Sequence, residues 1–349
     1  MTAWEANVRK VVPYVPGEQP KIDNIIKLNT NENPYGPSPR VKDIVMDMDK
    51  LKLYPDPAAS ALVDAIADYH GVTSDKVFVG VGSDDVLAMS FLTFFNSGKE
   101  ILFPDITYSF YDVWADLYKI PYKAVPVDDD FRIKKEDYYV ENGGVIFPNP
   151  NAPTSIAEPL SFVEDIVKNN QDVVVIVDEA YVDFGGQTAL PLVDKYENLL
   201  VVRTFSKSRS MAGLRIGYAI GNPKLIKYLS DVKYSFNSYT MNMPSIVLGI
   251  ESIADDEYFK ETVAKVVDTR EWFKDQITKL GFTCPPSSAN FLFITHNNIP
   301  AKEIFEKARK ANIIVRYFNK PRIDNYLRVT IGTRDEMEKF LEFLKVICK

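Results

Sequence analysis

The 349-residue chain carries 41 Lys and Arg against 48 Asp and Glu, a net charge of −7 that would repel a phosphodiester backbone and excludes nucleic acid as an expected partner. Its 46% hydrophobic and 26% charged residues are the balance of an ordinary globular protein, and its length points to two domains or one large α/β unit with a smaller companion. Two cysteines (Cys284, Cys348) and two histidines (His70, His296) are too few for a disulfide framework or a His/Cys metal site, so a reducing compartment and no metal are expected.

From Met1 to about Tyr54 the chain is rich in Pro, Asn and Gly, as in Val12-Pro13-Tyr14-Val15-Pro16-Gly17, which predicts an extended arm with turns. The start, Met1-Thr2-Ala3-Trp4-Glu5, lacks the basic and apolar regions of a secretory signal. No stretch is apolar over the length of a bilayer, so a cytoplasmic location without a membrane partner is expected. After Tyr54-Pro55-Asp56-Pro57, short apolar runs alternate with amphipathic ones. Candidate strands are Val77–Val79, Glu100–Phe103, Val145–Phe147, Val173–Val177, Leu199–Arg203 and Arg215–Ile220, with helical stretches such as Ser83–Phe95 and Tyr108–Leu117 between them. Continuous apolar runs suit strands buried on both faces, so the expected fold class is α/β: a large domain with a mostly parallel sheet covered by helices. Beyond Met243 a long charged helical stretch, Ser245 to Leu280, leads into a smaller α+β unit. That unit reads strand Asn290–Ile294, helix Ala301–Lys310, strands Ile313–Tyr317 and Tyr326–Thr330, and a last helix from Arg334. The expected division is an N-terminal arm (1–30) packing with the small domain, a large cofactor-binding domain (31–244) and a small C-terminal domain (245–349).

Chemistry concentrates at strand ends. In Val201-Val202-Arg203-Thr204-Phe205-Ser206-Lys207, strand alternation puts the hydroxyls of Thr204 and Ser206 on one face beside a lysine, with Arg215 eight residues further. Such a set can hold a phosphate while the amine reacts with an aldehyde, although alone it is equally a polar loop. Val173–Val177 ends in Asp178-Glu179-Ala180-Tyr181: a carboxylate at the edge where α/β enzymes place their sites, able to pair with a protonated ring nitrogen, or simply to cap a turn. Val79-Gly80-Val81-Gly82-Ser83-Asp84-Asp85 reads as strand, glycine turn and helix start, a phosphate site or an ordinary N-cap. Asp85 stands where a dinucleotide fingerprint needs its third glycine, which disfavours a nicotinamide enzyme. Tyr108 can stack on a flat cofactor or fill core, and Asn149-Pro150-Asn151-Ala152-Pro153-Thr154 follows a strand as a proline-rich turn.

Taken together with Leu28-Asn29-Thr30-Asn31-Glu32-Asn33-Pro34-Tyr35-Gly36-Pro37, Tyr54-Pro55-Asp56-Pro57, Ala212-Gly213-Leu214-Arg215 and Leu327-Arg328-Val329-Thr330-Ile331-Gly332-Thr333, these stretches closely resemble the histidinol-phosphate aminotransferases, fold-type I enzymes that use pyridoxal 5′-phosphate. The resemblance runs along essentially the whole chain. It implies that Lys207 is the Schiff-base lysine and proton shuttle, Asp178 the partner of the pyridine nitrogen, Tyr181 the partner of the ring oxygen and Tyr108 the stacking ring. By the same resemblance Ser83, Asp84, Thr204, Ser206 and Arg215 hold the cofactor phosphate, and Tyr54 reaches it from a neighbouring subunit, making a homodimer. Tyr14, Asn33, Arg316 and Arg328 match positions that meet substrate.

Three departures stand out. Ala152-Pro153-Thr154-Ser155 occupies the place of the usual Asn-Pro-Thr-Gly, so Asn151 is assigned the ring contact; Asp85 replaces a usual Glu, and Asp105-Ile106 a usual Pro. The implied reaction moves an amino group between L-glutamate/2-oxoglutarate and L-histidinol phosphate/imidazole-acetol phosphate. Rivals are an aromatic or broad-specificity aminotransferase, a decarboxylase of phospho-amino acids, and a cofactor-sensing regulator, the last disfavoured because no basic DNA-binding segment is present.

Overall fold

The computed structural model describes residues 4–20 and 24–349, so positions 1–3 and 21–23 of the expected arm lie outside the described residues. The chain contributes β1 (Ile26–Leu28), β2 (Val77–Val81), β3 (Ile101–Pro104), β4 (Tyr122–Val125), β5 (Val145–Pro148) and β6 (Val175–Asp178), then β7 (Leu199–Thr204), β8 (Ile216–Gly221), β9 (Phe282–Thr283), β10 (Phe291–His296), β11 (Ile313–Tyr317) and β12 (Leu327–Thr330). Seven of these form a sheet in the order β2-β8-β7-β6-β5-β3-β4, in which only β8 runs against its neighbours. The apolar runs were legible because both faces are covered. Val145, Phe147, Val175, Val177, Leu199 and Val201 enter one core, while Ile146, Ile176, Leu200 and Val202 enter another on the opposite face. This is the α/β architecture that the sequence predicts.

The parallel strands bring Pro104, Pro148, Asp178 and Thr204 to one edge, with Pro148 registered on Asp178 and Asp178 on Val202. Crevices at that edge are where α/β sheets place ligands. The second sheet, β1-β11-β12-β10-β9, covers a core of its own that includes Phe291, Val329, Phe273 and Phe340.

Three features differ from the sequence reading. Within the expected arm, Ile26–Leu28 pairs in parallel with β11 and buries Leu28 completely; a three-residue strand has no periodicity of its own and exists only through that distant partner. The charged stretch after Met243 is two helices, Met243–Ala254 and Asp256–Thr278, broken at Asp255, whose carboxylate accepts from the Tyr258 N–H. The first of them packs Ile246 and Ile253 into the core shared with Leu62 and Ile66. Edge strand β4 was not foreseen either: Lys123 and Ala124 are exposed, which leaves it without an apolar run.

One close approach positions the site. Gly217 in β8 packs on the turn that opens the helix Gly82–Phe94, and a Cβ built on it would lie 2.2 Å from the backbone of Gly82 and Ser83. Gly217→Ala is expected to displace this turn and cost about 1–3 kcal/mol or more; a urea midpoint equal to that of the parent would contradict the assignment.

Candidate active site

The pocket at the sheet edge is lined from five strand ends: Ser83 and Asp84 after β2, Tyr108 after β3, Pro148 and Ala152 from β5 onward, Asp178 and Tyr181 from β6 onward, and Thr204, Ser206 and Lys207 from β7, with Arg215 just before β8. It opens into a second, outer pocket that shares Asp84, Tyr108, Tyr181, Lys207 and Arg215 and adds Tyr14, Asn29, Asn31, Arg316 and Arg328.

The Lys207 amine donates to the Thr30 carbonyl at 3.1 Å. Burial, reinforced by the Arg328 guanidinium, lowers its pKa to about 8, so a useful fraction is a neutral nucleophile near neutral pH. Asp178 has the opposite problem. Its carboxylate is buried, accepts from the Tyr111 hydroxyl at 2.9 Å and from the Ala180 N–H at 3.1 Å, and has its pKa raised to about 6 chiefly by burial. A carboxylate held in this way is completed by a cationic hydrogen-bond donor arriving from the pocket. Tyr181, whose hydroxyl accepts from the Asn31 amide at 2.9 Å, lies with its ring 5.8 Å from the Lys207 nitrogen.

At the other end of the pocket the groups suit a phosphate. The helix Gly82–Phe94 begins without a side-chain cap, leaving first-turn N–H groups available. Gly82 has a φ of +82°, and a Cβ there would lie 2.5 Å from an Arg215 guanidinium nitrogen, so the guanidinium lies against a bare α-carbon. Arg215, itself left-handed (φ 53°), donates to Asp84 at 2.9 Å and to the Ser206 hydroxyl at 3.4 Å, while the Thr204 hydroxyl donates to Ser206 at 3.0 Å. The second oxygen of Asp84 accepts from Tyr108 at 2.7 Å. Asp84 therefore contributes by orienting Arg215 and Tyr108, since its carboxylate would repel an anion. An amine, a buried carboxylate and an anion cradle around one cavity fit pyridoxal 5′-phosphate.

In the outer pocket Arg316 and Arg328 are directly paired across β11 and β12. Arg328 donates to the Asn29 carbonyl at 2.9 Å while its buried Nε has no partner, and among the described residues neither arginine has a carboxylate partner. Tyr14 stacks on Phe110 with centroids 4.0 Å apart. Two guanidinium groups facing a cavity make a site for a carboxylate or phosphate.

Three assigned residues line neither pocket of this chain. Asn151 lines neither pocket: its amide donates to the Ile106 carbonyl and Thr154 hydroxyl, its oxygen accepts from Thr107, and Ala152 faces the cavity in its place. Asn33 holds its own turn, accepting from the Tyr35 N–H and donating to the Ser208 carbonyl. Tyr54 is 81% exposed, stacks on Tyr239 and lines neither pocket within its own chain. Conversely, Tyr111, Asn29, Thr30 and Asn31 were not singled out. Tyr111 reads as a core aromatic on a helix, and only the fold brings its hydroxyl to Asp178; the asparagines share a motif with Asn33 and are distinguished only by where each side chain points.

The family description "Aminotransferase class I and II" matches residues 23–344. The histidinol-phosphate aminotransferase of Lactococcus lactis subsp. lactis is 51% identical over 346 residues, covering 98% of this chain and 96% of that protein. Histidinol-phosphate aminotransferase 1 of Hydrogenovibrio crunogenus is 52% identical over 348 residues, covering 99% and 98%. The crystal structure of histidinol-phosphate aminotransferase from Sinorhizobium meliloti, in complex with pyridoxal-5′-phosphate, superposes with a TM-score of 0.84 at 22% identity over 92% of this chain and 91% of that one, a likeness of fold. A sequence match over nearly the whole length, on a chain whose strand ends converge on one amine and one buried carboxylate, settles the family: the chain belongs to the class I and II aminotransferases, and among them to the histidinol-phosphate aminotransferases.

Proposed function

We propose that this chain is the pyridoxal 5′-phosphate-dependent transaminase that exchanges an amino group between L-glutamate/2-oxoglutarate and L-histidinol phosphate/imidazole-acetol phosphate in histidine biosynthesis. The observation that carries the reading is the placement of Lys207 and Asp178 in one pocket, from neighbouring strands of one sheet. When bound, pyridoxal 5′-phosphate supplies a carbonyl carbon that accepts the amino group and a ring that takes up the electron pair left on the substrate carbon.

The chain's own groups do the rest. Asp178 would keep a proton on the ring nitrogen, Tyr181 would donate to the ring oxygen, Tyr108 would cover the ring face, and Ser83, Thr204, Ser206, Arg215 and the N–H groups of the helix Gly82–Phe94 would hold the phosphate. Asp84 keeps Arg215 and Tyr108 aimed. The Lys207 amine would take the proton from the substrate Cα and, as its ammonium, hold it for return on the cofactor side. Arg316 and Arg328 receive the glutamate carboxylate and the substrate phosphate in turn, with Tyr14 closing over them. We take the cofactor-binding unit to include the helix Met243–Ala254, which packs on the core that holds Leu62 and Ile66. The two free thiols agree with a cytoplasmic location.

We also infer a homodimer in which Tyr54 serves the partner's phosphate site. Tyr54 and Tyr239 stack on each other while largely exposed, and Leu51, Leu53 and Phe236, close to them in the chain, are exposed as well, an apolar surface suited to a second copy.

Lys207→Ala is expected to abolish the visible absorption of the lysine-bound cofactor and to lower transamination of histidinol phosphate with 2-oxoglutarate by more than about 10³-fold; retained turnover would refute the reading. Mixing the inactive Lys207→Ala and Tyr54→Ala chains should restore activity that neither has alone, because a hybrid dimer contains one site with both side chains intact; absence of restoration in a verified hybrid counts against the shared site.

Asp178 gives a pH signature in the cofactor-free protein. Its native pKa of about 6 lies above the ordinary value of 3.8, so its contribution to stability is fully present below that value and is lost as pH rises through about 6. The stability of the parent relative to Asp178→Asn should therefore fall by up to about 3 kcal/mol between pH 4 and pH 6 in urea unfolding. A rise over that window would show that the carboxylate is paired and not stranded.

A further inference from the structure

Residues Asn29–Asn31 leave β1 and run along the outer pocket. Their three successive carbonyls each accept from a different side chain: Asn29 from Arg328 at 2.9 Å, Thr30 from Lys207 at 3.1 Å and Asn31 from Asn290 at 3.0 Å. Asn31 adopts a φ of +55°, a conformation that asparagine tolerates better than other side chains. Thr330 of β12 holds it there, accepting from the Asn31 N–H at 2.9 Å and donating to its Oδ1 at 3.1 Å. With Oδ1 engaged, the amide orientation is fixed and Nδ2 donates to the Tyr181 hydroxyl at 2.9 Å.

That last bond decides where the Tyr181 proton goes. A phenol has one proton and accepts through its oxygen. Because the amide nitrogen donates, the proton cannot be given to Asn31, and among the described residues the hydroxyl has no other recorded partner. It is left for an acceptor within the cavity. The neighbouring lining residues Pro148 and Ala152 present no polar side chain, and the Asn151 amide is engaged elsewhere, so that stretch supplies no side-chain donor of its own.

We propose that Asn31 is a positioning residue of the transamination: by donating to the Tyr181 hydroxyl it aims the phenolic proton at the ring oxygen of the bound cofactor, and through Thr330 it ties that aim to the small sheet. The inference rests on the proposed cofactor reading. Donation to the ring oxygen favours its ionised form, so weaker donation lets the lysine-bound cofactor keep its proton to higher pH.

The test is a pH titration of the visible absorption of the substrate-free holoenzyme. Asn31→Gly suits the left-handed backbone and removes the donor, and it should raise the titration midpoint by about 0.7 pH unit, the equivalent of one ordinary hydrogen bond. Tyr181→Phe should raise it at least as far, and adding Asn31→Gly to Tyr181→Phe should raise it no further. An unmoved midpoint with only a lowered melting temperature, or fully additive shifts, would overturn the proposal. Should Asn31→Gly fail to fold, Asn31→Asp keeps the Thr330 contacts; its shift must be larger with Tyr181 present than in the Tyr181→Phe background, and equal shifts refute the role. Absence of any visible band that depends on Lys207 is a separate outcome, and it would sink the cofactor reading together with this one.

Discussion

The Asp178 carboxylate ends β6 inside the protein with a tyrosine hydroxyl and one backbone N–H as its hydrogen-bond partners, and close by the Lys207 amine follows β7 into the same cavity. Burial works against the charge on both, raising one pKa to about 6 and lowering the other to about 8. Neither charge is favoured by its surroundings in this cavity. A planar cofactor with a protonatable nitrogen at one end and a carbonyl carbon at another would relieve both.

The larger sheet exists, from this viewpoint, to hold that pair in register. Parallel strands β5, β6 and β7, sealed on both faces, cannot slip by a residue without exchanging one core for the other, so Asp178 and the Thr204–Lys207 segment are fixed relative to each other. The smaller sheet brings two guanidinium groups, Arg316 and Arg328, to the outer pocket. The segment Asn29–Asn31 joins the two, with one carbonyl on Arg328 and the next on Lys207.

Local chemistry in the sequence determined a good part of this. Continuous apolar runs made the buried parallel strands legible, and the polar residues that end them had to lie along one edge, which placed Asp178, Ser206, Lys207 and Arg215 near a common ligand. The tertiary structure decided what depends on contacts between distant segments. Ile26–Leu28 is a strand only because β11 lies beside it, and the helix Met243–Ala254 belongs to the first core because Leu62 and Ile66 meet it. Within one motif it separated Asn31, which reaches Tyr181, from Asn33, which holds a turn, and it turned the Asn151 amide away from the cavity. Residue type and spacing fix which groups a segment offers. For Asn31 and Asn33 the direction depends on hydrogen bonds to Tyr181, Thr330 and Ser208, more than a hundred residues away, and no local pattern encodes those.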